Sequence, residues 1–333
     1  MTVYESCRWI ERCIVLDYNG VIRNCNNFNP SRGGRTVIFD EYKGPQMDWD
    51  DFFRIKHEYR KPFLDGTRPE ECVGCTGTET RDWDQRNYLD YVLLTPWVPC
   101  NSKCVYCHAR DDKSIDMKGP RYDVVALAKD MIDKGIIDQN TLIDFAGGEP
   151  TIFKDFKRLL DLFLKHKFKK ILIHTNAITH HKNIEEGIRK GSIYVLVSVD
   201  AGSKVVHEKV KQVKSYDKVW KNLALYARAQ KPESEHVKTK FIIVPGLNDS
   251  QEEILLWLDK SYQLGIKNVI LNLDFNWLEN NISNIPMSLY NLIAFTKSEA
   301  EKRGMFCELY GELFRVKCEI EQKVEYNKAG YLD

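Results

Sequence analysis

The sequence has almost no net charge, no long basic run and no long hydrophobic run. Its 333 residues contain 49 Lys and Arg against 48 Asp and Glu, which gives a formal net charge of +1. A surface for nucleic acid or anionic lipid usually needs a clustered excess of positive charge, so neither is indicated. No stretch of about 18 apolar residues occurs, so no membrane span is predicted.

The first residues also lack the apolar core of a secretory signal. Ten cysteines without such a signal argue against a disulfide scaffold and favour metal ligands or reduced thiols. We therefore predict a cytoplasmic protein. The length allows one large domain with a smaller one beside it.

Strand and helix patterns alternate from residue 88 onward. Short segments rich in Ile, Val and Leu predict six strands, at 88–94, 141–146, 169–175, 192–199, 237–244 and 267–273. Amphipathic patterns predict helices between or after them, at 123–135, 153–167, 217–230, 250–265 and 287–304. The alternation predicts an α/β fold with a parallel sheet, of the partial (β/α)6 TIM-barrel type. Such barrels carry their chemistry at the C-terminal ends of the strands.

The first 86 residues follow a different pattern. A hairpin is predicted between Cys13 and Cys25 with Asn19-Gly20 as its turn, and a helix over 49–66. We therefore predict three parts. They are a small N-terminal module at 1–86, the barrel at 87–285 and a C-terminal helical extension at 286–333.

Three cysteines lie within eight positions directly after the first predicted barrel strand: Cys100, Cys104 and Cys107. A closed zinc site would need a fourth ligand such as His108, but a histidine adjacent to a ligating cysteine usually points away from that metal. A cubane iron–sulfur cluster takes one thiolate per iron, so three cysteines leave one iron open. An open position is typical of a catalytic site. The spacing therefore favours a 4Fe–4S cluster, with zinc as the alternative.

This loop, with Tyr106 before its last cysteine, resembles the cluster loop of radical S-adenosylmethionine (SAM) enzymes. The resemblance implies that the open iron binds SAM, which is split by one electron into methionine and a 5′-deoxyadenosyl radical that abstracts a hydrogen atom from the substrate. Cys100, Cys104 and Cys107 would be the catalytic cluster ligands, with Tyr106 beside the cofactor. A flavodoxin or ferredoxin is the expected electron donor.

Further motifs at the ends of predicted strands support the resemblance. Gly147-Gly148-Glu149 is similar to the family's GGEP motif, which binds the amino group of SAM. Glycines admit a close backbone approach, and a carboxylate pairs with an ammonium group. By the same resemblance, the remaining SAM contacts are expected at Thr175, Asn176, Ser198, Asp200 and Asn248.

The sequence departs from the family pattern at two places. The glycine expected directly after Asp200 is displaced by one position, in Ala201-Gly202. An Arg-Gly pair common in the family is replaced by Lys211-Gln212. The carboxylate of SAM is therefore expected to be bound by Lys211 or by a residue elsewhere.

The cysteines of the N-terminal module fit two kinds of site. Cys7, Cys25, Cys72 and Cys75 could form a zinc ribbon. Their arrangement also resembles SPASM/Twitch-type auxiliary modules, with a cysteine before a hairpin, a second past its turn glycine and a Cys-x2-Cys pair after a helix. We favour a second 4Fe–4S cluster with Cys7 as its first ligand and Cys13 as the runner-up. Four protein ligands would make it an electron carrier, and three would let it bind substrate.

The sequence thus predicts a radical SAM enzyme of the oxidoreductase or epimerase class. Its substrate is expected to be a small, sugar-like molecule, with the auxiliary cluster accepting or relaying an electron. Modification of a ribosomal peptide is the alternative, and a zinc-stabilised binding protein is the non-enzyme alternative. Cys307 and Cys318 are interpreted as core residues, or as donors that quench a substrate radical.

Overall fold

The computed structural model describes residues 3–26, 37–39, 41–44, 46–72, 75, 77–83, 86–107, 120–281 and 284–309. Two compact units make up the chain. One is formed by Met1–Pro99 and Lys113–Ile173, and the other by Cys100–Asp112 and His174–Asp333. No helix in these described ranges is long and apolar enough to cross a bilayer.

The described strands are numbered β1 to β12 in chain order. They are Val3–Ser6, Cys13–Asp17, Ile22–Arg23, Val37–Phe39, Glu79–Asp82, Tyr91–Thr95, Leu142–Phe145, Lys170–Thr175, Ile193–Ser198, Val237–Ile243, Asn268–Leu273 and Phe306–Leu309. The described α-helices are numbered α1 to α10. They are Arg8–Arg12, Trp49–Leu64, Val124–Asp133, Phe156–Lys165, Lys182–Lys190, Lys204–Lys211, Tyr216–Ala229, Gln251–Gln263, Phe275–Asn281 and Met287–Lys302.

In the first unit, the strands have the order β4-β3-β2-β6-β7-β8. Strands β2, β6, β7 and β8 are parallel, and β3 and β4 add antiparallel pairs. The predicted hairpin is present, with its turn at Tyr18–Gly20, and a nearly buried ion pair of 2.6 Å joins Arg23 to Asp17 across it. Because β2 pairs with β6, the N-terminal segment extends the same sheet that carries the first barrel strands.

A separate antiparallel pair joins the two ends of the N-terminal segment. Strand β1 pairs with β5, and Ser6 is the partner of Glu79. This pairing places Cys7, which directly follows β1, close to the residues that lead from Cys75 into β5. The sequence pattern did not predict either of these short strands.

In the second unit, β9, β10, β11 and β12 are consecutive parallel neighbours. One face of β10 packs on α8, where the indole Nε1 of Trp257 donates to Thr239 Oγ1 at 3.1 Å. Ser250 caps α8 by accepting a hydrogen bond from the backbone of Glu253, as its position at the start of the helical pattern predicts. Because successive side chains of a strand point to opposite faces, every second residue of β9 to β11 faces away from the helices.

The predicted α/β class with a mostly parallel sheet is confirmed, and each of the six predicted strands is found within three residues of its bounds. Strands β4 and β12 each have one strand neighbour among the described residues, so the sheet is not closed. The elements that were not predicted are strands β1, β4, β5 and β12 and helices α1, α5, α6 and α9. The C-terminal segment predicted as helical contains both α10 and β12.

Candidate functional site

Polar groups of the three-cysteine loop contact its own sulfur atoms. The backbone N–H of Ser102 donates to Cys100 Sγ at 3.4 Å, and the Ser102 hydroxyl lies 3.3 Å from Cys104 Sγ. Cys100 is exposed, whereas Cys104 and Cys107 are half-buried. Hydrogen bonds to sulfur are a common feature of cysteines that bind iron–sulfur clusters, since they stabilise thiolate charge.

Asn176, which follows β8, is the side chain that holds the start of this loop. Its amide nitrogen donates to Asn101 Oδ1 at 2.7 Å and lies 3.6 Å from Cys100 Sγ, within hydrogen-bond reach of sulfur. Its amide oxygen accepts from the backbone N–H of Ile178 at 2.9 Å, which fixes the orientation of the amide. The structure thus places this predicted cofactor residue directly against the first cysteine.

The end of α6 supports the middle of the loop. The carbonyl of Lys211 accepts from the backbone N–H of Lys103 at 3.0 Å and from the Ser102 hydroxyl at 3.2 Å. The carbonyl of Val210 accepts from the backbone N–H of Val105 at 3.0 Å. These bonds use carbonyls that the helix itself cannot satisfy at its C-terminus.

Beside the loop lies a polar network of the half-buried Tyr106 and the buried Asp200 and Lys211. The Tyr106 hydroxyl donates to Asp200 Oδ2 at 2.5 Å, and the Lys211 ammonium donates to the Tyr106 hydroxyl at 3.0 Å. Lys211 and Asp200 form an ion pair whose side chains are 2% and 0% exposed. This is the only such fully enclosed Lys–Asp pair among the ion pairs of the described residues.

The charges of this network stabilise one another. Burial opposes ionisation of Asp200, but Lys211, Lys240 and the hydrogen bonds hold the pKa of its carboxyl below the usual value. Burial likewise disfavours the ammonium of Lys211, yet Asp200 and then the thiols of Cys104 and Cys100 raise its pKa above the usual value. Both groups are therefore ionised at neutral pH.

Asp200 and Asn248 contact the protein rather than open space. Asp200 has a positive φ of 55°, and its Oδ1 accepts from the backbone N–H of Ile242 at 2.7 Å. Asn248 donates to the carbonyls of Asp200 and Ile242 at 2.9 and 2.8 Å and accepts from the backbone N–H of Val244 at 2.6 Å. These two residues, predicted to contact SAM, brace the strand ends in this structure.

Thr175 and Ser198 are the other predicted contacts of the second unit. Thr175 is buried, and its hydroxyl accepts from the backbone N–H of Ala177 at 3.0 Å. Ala177 takes a positive φ of 54°, at the position where the family's Thr-Asn-Gly element has glycine. Ser198 is half-buried at the end of β9, directly beside Lys240 in the register of β10.

The Gly147-Gly148-Glu149 motif lies in the first unit, against the segment that runs into Cys100. The backbone N–H of Gly148 donates to the Trp97 carbonyl at 3.1 Å, and that of Glu149 to the Pro99 carbonyl at 3.0 Å. A Cβ on Gly148 would lie 2.4 Å from the carbonyl oxygen of Pro99. Gly148 is therefore required because the protein's own backbone approaches it closely. From the motif alone, we expected it to admit the close approach of a ligand.

Glu149 is almost fully buried, at 2% exposure. Its Oε1 accepts from the Thr151 hydroxyl at 2.6 Å and from the Thr151 backbone N–H at 3.2 Å. The carboxylate is thus held in one orientation after β7. A fixed buried carboxylate is suited to pairing with an ammonium group.

No group of three or more His, Cys, Asp or Glu side chains in the described ranges has the geometry to hold a single metal ion. His108 lies outside the described residues. A cubane cluster binds each thiolate through a different iron, so its ligands need not converge on one point as the ligands of zinc do. Three cysteines, the first with two N–H donors at its sulfur, therefore fit a cubane cluster.

Three of the N-terminal cysteines lie close together in the first unit. Cys7 and Cys72 belong to one buried cluster with Tyr4, Phe63 and other apolar side chains. The pKa of Cys7 is raised by burial, and the nearby thiol of Cys75 raises it further. The backbone N–H of Cys75 donates to the Cys72 carbonyl at 3.1 Å. The pairing of β1 with β5 is what brings Cys7 to the Cys-x2-Cys pair.

Lys56 connects the other cysteine-bearing segments of the module. Its ammonium is completely buried and donates to the Cys13 carbonyl at 2.9 Å and to the side-chain oxygen of Asn24 at 2.8 Å. Burial lowers the pKa of Lys56 to about 8. Since Asn24 directly precedes Cys25, this lysine fixes the position of the hairpin that carries Cys25. The sequence analysis did not identify Lys56, because a single lysine within an amphipathic helix gives no sign that it is buried.

The remaining cysteines occupy different surroundings. Cys13 is 1% exposed in β2, and burial raises its pKa far above the usual value. Cys307 pairs in register with Val269, so it lies on the helix-covered face of β12, and burial raises its pKa to about 12. This placement favours a core role for Cys307. Cys318 lies outside the described residues.

Comparison with known proteins finds a match to one family model. Residues 95–258 match the model of the radical SAM superfamily. A GTP 3',8-cyclase of Clostridium botulinum (strain Hall) is 26% identical over 183 residues, which cover 54% of this chain and 55% of the relative. The chain thus spans about half the length of this curated relative.

Solved structures with the same fold include SuiB of Streptococcus suis. SuiB bound to S-adenosylmethionine has a TM-score of 0.52 at 17% identity, covering 81% of this chain and 59% of SuiB. SuiB bound to the precursor peptide SuiA has a TM-score of 0.53 at 16% identity, covering 96% of this chain and 75% of SuiB. At this identity the match shows a shared fold.

Proposed function

We propose that this chain is a radical SAM enzyme that abstracts a hydrogen atom from a small-molecule substrate, because its residues 95–258 match the model of the radical SAM superfamily. The observation that carries the proposal is the loop of Cys100, Cys104 and Cys107, in which the Ser102 backbone N–H and the Asn176 amide donate to Cys100 Sγ. When bound there, a 4Fe–4S cluster supplies the electron that splits SAM and generates the 5′-deoxyadenosyl radical. A flavodoxin or ferredoxin is the proposed source of that electron.

The residues of this chain would hold the cluster and SAM in fixed positions. Asn176 and Ser102 orient Cys100, and the end of α6 holds the backbone of the loop. We assign the amino group of SAM to Glu149, whose carboxylate is buried and fixed by Thr151. Ser198 is half-buried at a strand end and is the proposed contact to the ribose hydroxyls.

A second 4Fe–4S cluster on the N-terminal cysteines is part of the proposal. The proximity of Cys7, Cys72 and Cys75 supports it, with Cys25 as the fourth ligand on the hairpin that Lys56 fixes. The position of Cys7 beside Cys75 favours it over Cys13. Such a cluster would accept or relay one electron, so that abstraction of a hydrogen atom can lead to a two-electron oxidation of the substrate.

The substrate class is supported by the curated relative. Its name describes a reaction of GTP, a small molecule that contains a sugar. Modification of a ribosomal peptide is the second candidate, because the fold is shared with SuiB in its complex with a precursor peptide. Oxidation and epimerisation remain the two proposed outcomes, and the reaction of the relative adds cyclisation to them.

Anaerobic purification tests the proposal. We expect a brown protein with about eight irons per chain, by the ligand count for two cubanes, and formation of 5′-deoxyadenosine from SAM on reduction. Replacing Cys72 and Cys75 by Ala should halve the iron and spare SAM cleavage. A colourless protein that contains only zinc would refute the proposal.

Two further experiments identify the first cysteine ligand of the auxiliary cluster and the class of the substrate. Cys7→Ala should lower the iron content to about half, whereas Cys13→Ala should leave it unchanged if Cys7 is the ligand. For the substrate, 5′-deoxyadenosine formation should increase with a small molecule such as GTP more than with a peptide. Deuterium transfer from the substrate into 5′-deoxyadenosine identifies the true substrate, and transfer from a peptide alone would reverse the assignment.

A further inference from the structure

Lys211 occupies the position where the family resemblance predicts a cation for the carboxylate of SAM. Its side chain is 2% exposed, and its ammonium is bonded to the Asp200 carboxylate and the Tyr106 hydroxyl. A residue that binds the carboxylate of a ligand must offer donors to the space that the ligand fills. Two of the three N–H donors of this ammonium are used inside the protein, by Asp200 and Tyr106.

Its partner, Asp200, is fixed from three directions. The carboxylate accepts from Tyr106 at 2.5 Å, from the backbone N–H of Ile242 at 2.7 Å and from Lys211. The backbone of Asp200 has a φ of 55°, and Asn248 donates to its carbonyl at 2.9 Å. Because the carboxylate cannot turn away, it holds the ammonium of Lys211 in one place.

The same lysine contacts the cysteine loop through its backbone. Its carbonyl accepts from the backbone N–H of Lys103 at 3.0 Å and from the hydroxyl of Ser102 at 3.2 Å. The hydroxyl of Ser102 in turn lies 3.3 Å from Cys104 Sγ. One residue thus joins the buried charge pair to the segment that carries the ligating thiols.

The charge of Lys211 lies beside the cysteine loop. Its ammonium donates at 3.0 Å to the hydroxyl of Tyr106, the residue directly before Cys107. The thiols of Cys104 and Cys100 in turn help to raise the pKa of Lys211. A positive charge in a low-dielectric interior stabilises the more negative of two redox states, which raises the reduction potential.

We infer that Lys211 is a positioning residue that pins the cysteine loop and places a fixed positive charge beside the cluster ligands, and is not the residue that binds the carboxylate of SAM. This inference rests on the proposed function, since it assumes a cluster on Cys100, Cys104 and Cys107. It also assigns a role to Tyr106 and Asp200, which hold the ammonium of Lys211 in place.

The test uses the full chain, reconstituted with iron and sulfide without oxygen. Lys211→Met removes the charge at similar length, Lys211→Arg retains it, and Lys209→Met is the matched control because Lys209 is on the same helix and less buried. The dissociation constant for SAM is measured by equilibrium dialysis. The midpoint potential is measured by EPR for the cluster whose signal changes when SAM binds.

We expect Lys211→Met to keep the dissociation constant for SAM within about threefold of wild type and to shift the midpoint potential to more negative values. Lys211→Arg should restore the potential, and Lys209→Met should leave both quantities unchanged. A rise of more than about tenfold in the dissociation constant with an unchanged potential would overturn the inference, because it would identify Lys211 as the ligand of SAM.

Lys211→Met leaves Asp200 as an unpaired buried charge, which can prevent folding. The double variant Asp200→Asn/Lys211→Met removes both charges. Its dissociation constant for SAM and its midpoint potential are measured in the same way. A potential equal to that of wild type in the double variant also overturns the inference. Wild-type protein that binds no cluster or cleaves no SAM would instead refute the proposed function, whatever the lysine variants show.

Discussion

Gly148→Ala probes the close approach between the Gly-Gly-Glu motif and the segment before Cys100. A Cβ at position 148 would lie 2.4 Å from the carbonyl oxygens of both Pro99 and Val98, although ordinary contacts begin at 3.4 Å. The two backbone segments would have to separate by about 1 Å, the difference between these distances. No flexible side chain is involved, so the overlap cannot be relieved by a change of rotamer.

The cost follows from the bonds between these segments. Separation by that distance breaks the hydrogen bonds from Gly148 to Trp97 and from Glu149 to Pro99, now 3.1 and 3.0 Å long. Each is worth about 1 kcal/mol, and overpacking adds about 1–3 kcal/mol. We expect Gly148→Ala to lower the free energy of unfolding by about 3–5 kcal/mol. Because Pro99 directly precedes Cys100, the iron content should fall as well.

Two other glycines separate the effect of space from the effect of backbone conformation. Gly135 has a φ of +67° and a Cβ added to it would meet nothing within 4 Å, so its replacement by Ala should cost about 1 kcal/mol from the left-handed conformation alone. Gly147 has a φ of +90°, and a Cβ added to it would lie 2.9 Å from the Trp97 carbonyl oxygen. The loss of unfolding free energy for Gly147→Ala should therefore lie between those for Gly135→Ala and Gly148→Ala. Urea unfolding monitored by circular dichroism and iron analysis measure the series. A loss for Gly148→Ala no greater than that for Gly135→Ala would refute the close approach.

Three further predictions concern buried polar groups. Arg60→Met should cost about 3–5 kcal/mol of unfolding free energy, because it leaves the Glu11 carboxylate, now 2.7 Å from Arg60 and 0% exposed, without its cation. Arg54→Met, on the exposed face of the same helix, should cost less than about 1 kcal/mol, and equal losses would contradict the burial argument. Burial lowers the pKa of His207 from 6.5 to about 4, so the unfolded chain binds a proton in this pH range that the folded chain does not. Stability should therefore fall as the pH drops from 6.5 to 4, by up to about 3 kcal/mol, and urea unfolding should show a smaller fall for His207→Gln. Asn176→Asp replaces the amide donor beside the first cysteine by an oxygen that repels a thiolate, so we expect at least half of the iron at the loop to be lost, whereas unchanged iron would show that the donor is dispensable.

The sequence predicted the parallel strands and the cysteine loop because these signals are local. Six apolar segments and a Cys-x3-Cys-x2-Cys spacing can each be recognised within a few residues. The pairing of β1 with β5 could not be recognised in this way. Each strand has four residues, all of β5 is exposed, and the partners are more than 70 residues apart. Yet this pairing is what places Cys7 beside Cys75.

The same limit applies to the surroundings of a predicted site residue. Asp200 and Asn248 were expected at strand ends, and they are there, but a linear motif does not show what a side chain faces. Their partners are the backbone of Ile242 and the side chains of Tyr106 and Lys211, all brought together by folding.

The displaced glycine of the Ser-x-Asp-Gly element fits these internal contacts of Asp200. A glycine after the aspartate would let the next residue adopt the left-handed conformation, but here Asp200 itself has a φ of 55°. Aspartate is among the few residues other than glycine that occupy this region readily, since its side chain can bond locally. The conformation turns the carboxylate toward the backbone N–H of Ile242, and Ala201, at 0% exposure, fills the space that follows. In this chain, which has Ala201 in place of that glycine, the end of the strand is held by the hydrogen bonds of Asp200 and by its ion pair with Lys211.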